Sequence, residues 1–366
     1  MYPLKILLNQ PYRLVLTAGG IGLCIVLMLF LLGIYEGISE GSVDYIRENK
    51  ADLWILQENT TNILRGTSIL STMHLYLLQE HTELDKISPV LLLLTTIHGG
   101  NTSATIYLTG YDPQMKLGGP PEITAGRRVV SDNDIVLDES FAAKYDFQLG
   151  DTIRINSELL RIVGFSGGTN AFVIQYAFVT LKRAQSLISF KGLVSCMLVT
   201  VKNVDKIESV ITNLLDDIPG IVIYTQEKFV QNNIKEMEAG ILPLFFAVAV
   251  IGAIVLTVIL SLILSINILE NRQDLATMKT LGSPRGFLSG MVIKQALSIV
   301  LIALMFSLIL FFPITGLVQM LAPEIDTKTY IIHIIYVTFV VIMMGLISSV
   351  FSLGRLKAIY PLEVYA

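Results

Sequence analysis

The residues that concentrate chemistry in this chain are few, and most lie in one stretch. Positions 267–287 read NILENRQDLATMKTLGSPRGF, with Glu270, Arg272, Asp274 and Lys279 set among Leu269, Leu275, Met278 and Leu281. Charged and apolar residues mixed at this spacing predict a short amphipathic helix. Gly282-Ser283-Pro284 ends it, because glycine supplies a left-handed residue and proline cannot continue the ladder. Such a helix makes and breaks no bonds. It either lies in a membrane interface or docks on a partner and passes force onward.

Two acids form a second constellation. Glu36 and Glu40 stand one helical turn apart beside Tyr35. They are candidates for substrate contact, and a solvated acidic pair would look the same. Residues for covalent or metal chemistry are scattered. His74, His81, His98 and His333 share no ligand spacing; His74 and His81 could share a helix face as surface residues. No Ser/His/Asp order, HExxH or Cys/His cluster stands out, so nothing specific supports an extracellular hydrolase. A Gly-x-x-x-x-Gly-Lys-Ser/Thr loop is absent, which excludes ATP binding in the P-loop manner by this chain.

The elements that carry these residues follow from hydropathy. Four long uncharged stretches, 14–35, 239–269, 295–323 and 330–354, each exceed the roughly 20 residues needed to cross about 30 Å of hydrocarbon. With 53% hydrophobic residues and a mean hydropathy of +0.65 in 366 residues, this is an integral membrane protein. A signal peptide is a poor account of the first stretch: it is too long for an h-region, and Gly33-Ile34-Tyr35-Glu36 is no cleavage site. The net charge of −4 and the lack of a basic, aromatic-interleaved patch exclude nucleic acid as a partner. Cys24 lies mid-span and Cys196 in the central domain, so the two cannot readily pair.

Basic residues set the orientation. Lys5 and Arg13 precede the first span, Arg272, Lys279, Arg285 and Lys294 lie between the second and third, and Arg355 and Lys357 follow the fourth. Both termini and the 267–287 segment are therefore expected in the cytoplasm of a multi-pass plasma-membrane protein. The expected organisation is a cytoplasmic N-terminus over 1–13 and a first span over 14–37 continuing as a stalk to about 49. An extracytoplasmic α+β domain over 50–225 follows, of two lobes with about 122–187 inserted, and then a second stalk over 226–238. Spans over 239–266, 288–318 and 330–354 come next, with the 267–287 helix and loop and a 319–329 outer loop between them, and a tail over 355–366. Within the domain, Asp138 is a candidate cap for a helix over 139–145, and Ile153 and Ile155 alternate with Thr152 and Arg154 as in a half-buried hairpin. Gly19, Gly20 and Gly22 permit close helix approach, a candidate dimer seam. Pro313 predicts a kink in the third span.

At this point the chain resembles the MacB/FtsX-like permeases of ABC transporters. Glu270-Asn271-Arg272-Gln273-Asp274-Leu275-Ala276-Thr277-Met278-Lys279-Thr280-Leu281-Gly282-Ser283-Pro284 matches the family's ERRxEIGxLRALGAS-type element, most closely at Glu270, Leu281 and Gly282. The segment from Ile123 to Phe165 resembles the family's outer-domain signature, and the tail with Arg355 and Ile359-Tyr360-Pro361-Leu362-Glu363 resembles its ending. The resemblance implies a non-enzymatic permease that pairs with a second copy of itself and two copies of a cytoplasmic ABC ATPase. ATP and Mg2+ would be bound by that ATPase, with no cofactor on this chain, and a periplasmic adaptor is a further partner in some members. Glu270, Arg272, Asp274, Leu275, Met278, Lys279, Leu281 and Gly282 would receive the ATPase stroke. Spans without a buried charge pair suit a lever more than an ion path. The implied activity is export of an amphiphilic substrate by mechanotransmission; in a haem exporter of this design an acid such as Glu36 would serve as an axial ligand. The alternatives are a regulator of a cell-wall hydrolase and a lipoprotein-extraction permease.

Overall fold

A computed structural model describes residues 11–99, 102–171, 174–187, 192–325 and 327–357. The candidate N-terminal segment with Lys5, and the tail beyond Lys357, lie outside the described residues. The elements in chain order are α1 (Pro11–Glu48), β1 (Leu53–Gln57), β2 (Leu70–Ser71), α2 (Thr72–Gln79), β3 (Leu84–Gly99), β4 (Thr102–Tyr111), β5 (Glu122–Gly126), β6 (Asp134–Asp138) and α3 (Glu139–Tyr145). Then come β7 (Thr152–Ile155), β8 (Glu158–Gly167), β9 (Asn170–Ala171), β10 (Ile174–Thr180), α4 (Leu181–Leu187), β11 (Leu193–Val194), β12 (Cys196–Val201), α5 (Ile207–Asp217) and β13 (Ile221–Thr225). Four further helices close the chain: α6 (Gln226–Glu270), α7 (Arg272–Thr280), α8 (Arg285–Leu321) and α9 (Ile331–Lys357). The protein is a four-span helical membrane protein with a large α+β extracytoplasmic domain between the first and second spans. Two compact units divide it: a helical unit of residues 1–36, 242–318 and 327–366, and an outer unit of 37–241 with 319–326.

In the helical unit, Leu256, Leu260 and Leu264 form an i, i+4 stripe on α6. They are buried with Ile21, Ile25 and Leu29 of α1, with Ile299, Val300 and Ala303 of α8, and with Val337 and Val341 of α9. Small residues let α6 and α9 approach. Ser348 Oγ donates to the Thr257 carbonyl at 3.0 Å and Ser352 Oγ to the Ser261 carbonyl at 3.1 Å, bonds that lipid cannot replace. Gly22 meets Phe306 and Ala303 of α8, where an added Cβ would come within 2.9 Å of the ring. The close approach that Gly22 permits is to a span of its own chain. α8 continues as one helix through Pro313.

The outer unit is built on a mixed sheet ordered β13-β1-β12-β3-β4-β10-β6-β8-β5. β3 is long enough to serve two half-sheets. Its Leu84–Val90 part pairs with β12, and its Leu91–Gly99 part pairs with β4. On the first half, period-2 alternation sends side chains to two cores. Leu53, Ile55, Met197 and Val199 pack with Val210 and Leu214 of α5. Trp54, Leu56 and Leu198 face the opposite way, onto Tyr45 and Ile46 of α1 and Phe229 of α6. On the second half, pairing runs β3-β4-β10-β6-β8-β7 and returns to β3 through Ile97↔Ile155. Six strands therefore close into a small barrel, filled by Ile97, Ile106, Leu108, Ile135, Leu137, Ile153, Ile155, Leu160 and Ile162. Ile153 and Ile155 are buried and Thr152 and Arg154 exposed, as the alternation predicts. Asp138 caps α3, accepting from the Ser140 and Phe141 backbone N–H groups.

Two of the long helices, α1 and α6, are rooted in the aromatic core of the outer unit. Tyr45 of α1 stacks on Tyr176 (centroids 4.9 Å apart), and Phe229 of α6 stacks on Trp54 (4.9 Å). Tyr45 also donates to the Gly118 carbonyl at 2.8 Å, and the Gly118 N–H donates to Asn49 Oδ1 at 2.6 Å.

Candidate functional site

Within the 267–287 segment, Arg272–Thr280 forms a helix of its own. α6 ends at Glu270, and Asn271 (φ −98°, ψ 22°) bends the chain before α7 begins at Arg272. No side chain caps this start; Asn271 Nδ2 instead donates back to the Asn267 carbonyl at 2.8 Å. The other end is a Schellman motif. Gly282 takes φ +88°, its N–H donates to the Lys279 carbonyl at 3.1 Å, and the Ser283 N–H donates to the Met278 carbonyl at 3.0 Å. Pro284 follows, and α8 starts at Arg285.

The two faces of α7 differ. Leu275 and Ala276 are buried, with Met278 partly so, against Ile268 of α6, Leu288 and Val292 of α8, and Leu353 of α9. Glu270, Arg272, Asp274, Leu281 and Gly282 are exposed and Lys279 is half-buried; Leu281, an apolar residue, is 82% exposed. The eight sequence candidates therefore separate into an anchoring pair, Leu275 and Met278, and an outward set. Buried leucine beside an exposed charge row is what joins the ends of three spans to one external surface.

The second constellation divides between the two units. In the helical unit, Glu36 Oε2 lies 3.6 Å from Nε2 of His333, whose side chain is 11% exposed. His333 Nδ1 accepts from the Tyr330 N–H at 3.4 Å, which leaves Nε2 facing the carboxylate. Tyr35 sits edge-on to Phe245 of α6, centroids 6.5 Å apart. Glu40 belongs to the outer unit, half-buried on the same helix. Sequence reasoning left His333 among four scattered histidines with no ligand spacing. The signal that could have found its partner is the equal depth of Glu36 and His333, one near the outer end of the first span and one at the start of the fourth.

The outer loop between α8 and α9 carries a third set of contacts, all within the outer unit. Lys144 Nζ of α3 meets Glu324 Oε1 at 2.7 Å, and Asn170 Nδ2 donates to the Glu324 carbonyl at 2.9 Å. Burial would raise the Glu324 pKa; the Lys144 hydrogen bond, a backbone hydrogen bond and the Lys144 charge together outweigh it and hold the carboxyl below its ordinary value, while the hydrogen bond to Glu324 pushes Lys144 up. Among the described residues no group of three His, Cys, Asp or Glu side chains could hold a metal ion.

Comparison with known proteins gives the family. A model of the MacB-like periplasmic core domain matches residues 14–216, and one of the FtsX-like permease C-terminal domain matches residues 245–361. An uncharacterized ABC transporter permease of Mycobacterium tuberculosis is 22% identical over 358 residues, covering 96% of this chain and 95% of the relative. A Staphylococcus haemolyticus protein named "Putative hemin transport system permease protein HrtB" is 21% identical over 345 residues, 92% of this chain and 91% of that one. The crystal structure of the periplasmic region of MacB from Actinobacillus actinomycetemcomitans aligns with a TM-score of 0.41 at 19% identity, over 51% of this chain and 94% of that one. The first family model alone spans more than half of the chain and the second covers the helices after it: this protein belongs to the MacB/FtsX-like permease family of ABC transporters, whose members are non-catalytic transport subunits.

Proposed function

We propose that this chain is the permease of an ABC exporter that works as a lever. Two copies would pair in the plasma membrane with both termini in the cytoplasm, served there by two copies of a separate ATPase that binds ATP and Mg2+. One observation carries the reading: α7 anchors to α6, α8 and α9 through Leu275, Ala276 and Met278 while its Arg272 and Asp274, with the flanking Glu270 and Leu281, are exposed. A helix gripped on one face and buried on the other transfers a push to every span it touches. Closure of the ATPase would tilt those spans, and α1 and α6, continuous into the aromatic core of the outer domain, would move that domain.

The substrate would be expelled or extracted at the outer face and be amphiphilic. Among the described residues of the helical unit, Ser348 and Ser352 bond to backbone and the Glu36–His333 pair is confined to one end of the spans, which suits a lever better than an ion path. Tyr35, Glu36 and Glu40 at the outer end of the first span are the proposed contacts, with the Glu36–His333 pair at their centre. The full-length likeness to a permease named for hemin makes hemin the first substrate to try, and a periplasmic adaptor is a further partner to seek. The deciding experiment is ATPase activity of the reconstituted permease–ATPase complex, screened across hemin, lipids and peptides. Stimulation by one class and its loss on Glu36→Ala supports the reading. A complex whose ATPase answers to no amphiphile, while it controls an outer-face hydrolase, refutes it.

A further inference from the structure

The loop between α8 and α9 belongs to the outer unit, residues 319–326, but not to its cores. Residues 322–325 are half-buried, and among the described residues none of the loop enters a hydrophobic cluster. A cleft of about 300 Å³ opens where the loop meets the rest of the unit. It is bordered by Gln319, Pro323 and Ile325 of the loop and by Gly41 of α1, Ser140 of α3 and Asn170 of β9. Apolar packing therefore does not fix this loop.

Glu324 does. Its Oε1 lies 2.7 Å from Lys144 Nζ, and its carbonyl accepts from Asn170 Nδ2 at 2.9 Å. Both partners are built into the barrel. Lys144 stands on α3, whose Phe141 is buried in the barrel core, and Asn170 stands on β9, which pairs with β10. Gln175 Nε2 donates to Asn170 Oδ1 at 3.0 Å, which turns the donor end of the Asn170 amide toward the loop. The Asn170 backbone carbonyl also meets α1 at Gly41, where a Cβ would come within 2.6 Å of it. One residue thus touches the barrel, the first stalk and the loop.

The tie is more than an exposed ion pair. The Glu324 side chain is 20% exposed, and its Oε2 is buried with no hydrogen-bond partner. A carboxylate so placed depends on its one cation. Taking Lys144 away strands a partly buried charge, whereas removing both charges does not. The tether to the third span is short as well. Glu324 follows the end of α8 at Leu321 by three residues, at most about 11 Å when extended. A turn closed by the Ile325 N–H on the Ala322 carbonyl at 3.0 Å shortens it further.

We propose that the α8–α9 loop is a clamp on the barrel, Lys144 and Asn170 gripping Glu324, through which the third and fourth spans hold the barrel beside its contact with α1. The clamp is independent of export; that it carries a stroke to the barrel rests on the lever reading above.

The test is hydrogen–deuterium exchange on the full chain in nanodiscs. Lys144→Met is expected to speed exchange about five- to ten-fold over residues 139–145, 168–171 and 319–325, roughly the worth of one hydrogen bond. Exchange over β12 and α5, away from the clamp, should not change. Glu324→Gln should give less than about a three-fold rise, because its amide oxygen still accepts from Lys144. The double variant Lys144→Met with Glu324→Gln should exchange more slowly than Lys144→Met alone, since it strands no charge. Wild-type exchange in Lys144→Met, a rise spread evenly over the outer unit, or a double variant no slower than Lys144→Met would each overturn the clamp. In the reconstituted permease–ATPase complex, ATP is expected to alter exchange over 139–145 and 168–171 in the wild type, and by less than about half as much in Lys144→Met. No ATP-driven change in the wild type sinks the lever reading and leaves the clamp to the first measurement. A full change in Lys144→Met would show that the clamp carries no stroke.

Discussion

Single side chains test the proposed coupling role of α7. Glu270→Ala removes an exposed charge and should leave membrane insertion and fold intact while lowering the fraction of ATP turnover that is coupled to transport. Leu275→Pro should do more, since it breaks α7 at its buried anchor. Co-purification of the ATPase with unchanged stimulated turnover and transport in Leu275→Pro would sink the coupling role. Asp134 of the outer domain makes a pH prediction. Burial would raise its pKa, but Arg127 Nη1 at 2.7 Å and the Val130 and Ser131 N–H groups outweigh this and hold it at about 2. A lowered carboxylate pKa contributes stability that is present above the ordinary value near 3.8 and is lost as pH falls toward 2. Because Arg127 is half in solvent, roughly 1–2 kcal/mol is the expected size. Thermal melts from pH 5 to 2 should show that loss in the wild type and a flatter profile, lower at pH 7, in Asp134→Asn. The capping role of Asp138 was legible because an acid before a short helical run has a local meaning. The Glu36–His333 contact was not, because it joins residues almost 300 positions apart.

Elements were readable where they obey one period and not where they change partners. The amphipathic stretch at 267–287 was legible as a helix with a glycine–proline stop, and the structure adds that the stop is a Schellman motif. Gly282→Ala should cost about 1 kcal/mol by forcing a Cβ into positive φ, with no steric neighbour to add to it. Its readout is a lower midpoint of reversible unfolding in mixed micelles; an unchanged midpoint would mean the φ is not kept in solution. The alternation of Ile153 and Ile155 marked a two-stranded hairpin in the sequence, yet closure into a six-stranded barrel depends on β3 reaching β7, and alternation says nothing about which distant edge a strand will meet. The even burial of Leu53–Leu56 likewise hides an alternation: each residue is buried, on one side by α5 and on the other by the stalk helices. Phe229→Ala should test that second face. Loss of the ring from Trp54 is expected to cost about 3–5 kcal/mol, followed through the fluorescence of Trp54, the chain's single tryptophan.

At the scale of the whole molecule, the orientation predicted from Lys and Arg placement makes a labelling prediction. Cysteines placed at Ser131 and Lys328 should react with impermeant reagents from outside and one at Ser283 should not. Labelling at Ser283 with silence at Ser131 would reverse the orientation and separate α7 from any cytoplasmic motor. The spans themselves were legible from length and polarity alone, because lipid imposes a single requirement on them.

The chain passes between the helical and outer units after Glu36, Ile241, Val318 and Asp326. α1, α6 and α8 each run through such a passage without a break in the helix. Each of these three helices stays helical at the crossing, so no loop residue with two free backbone torsions lies there.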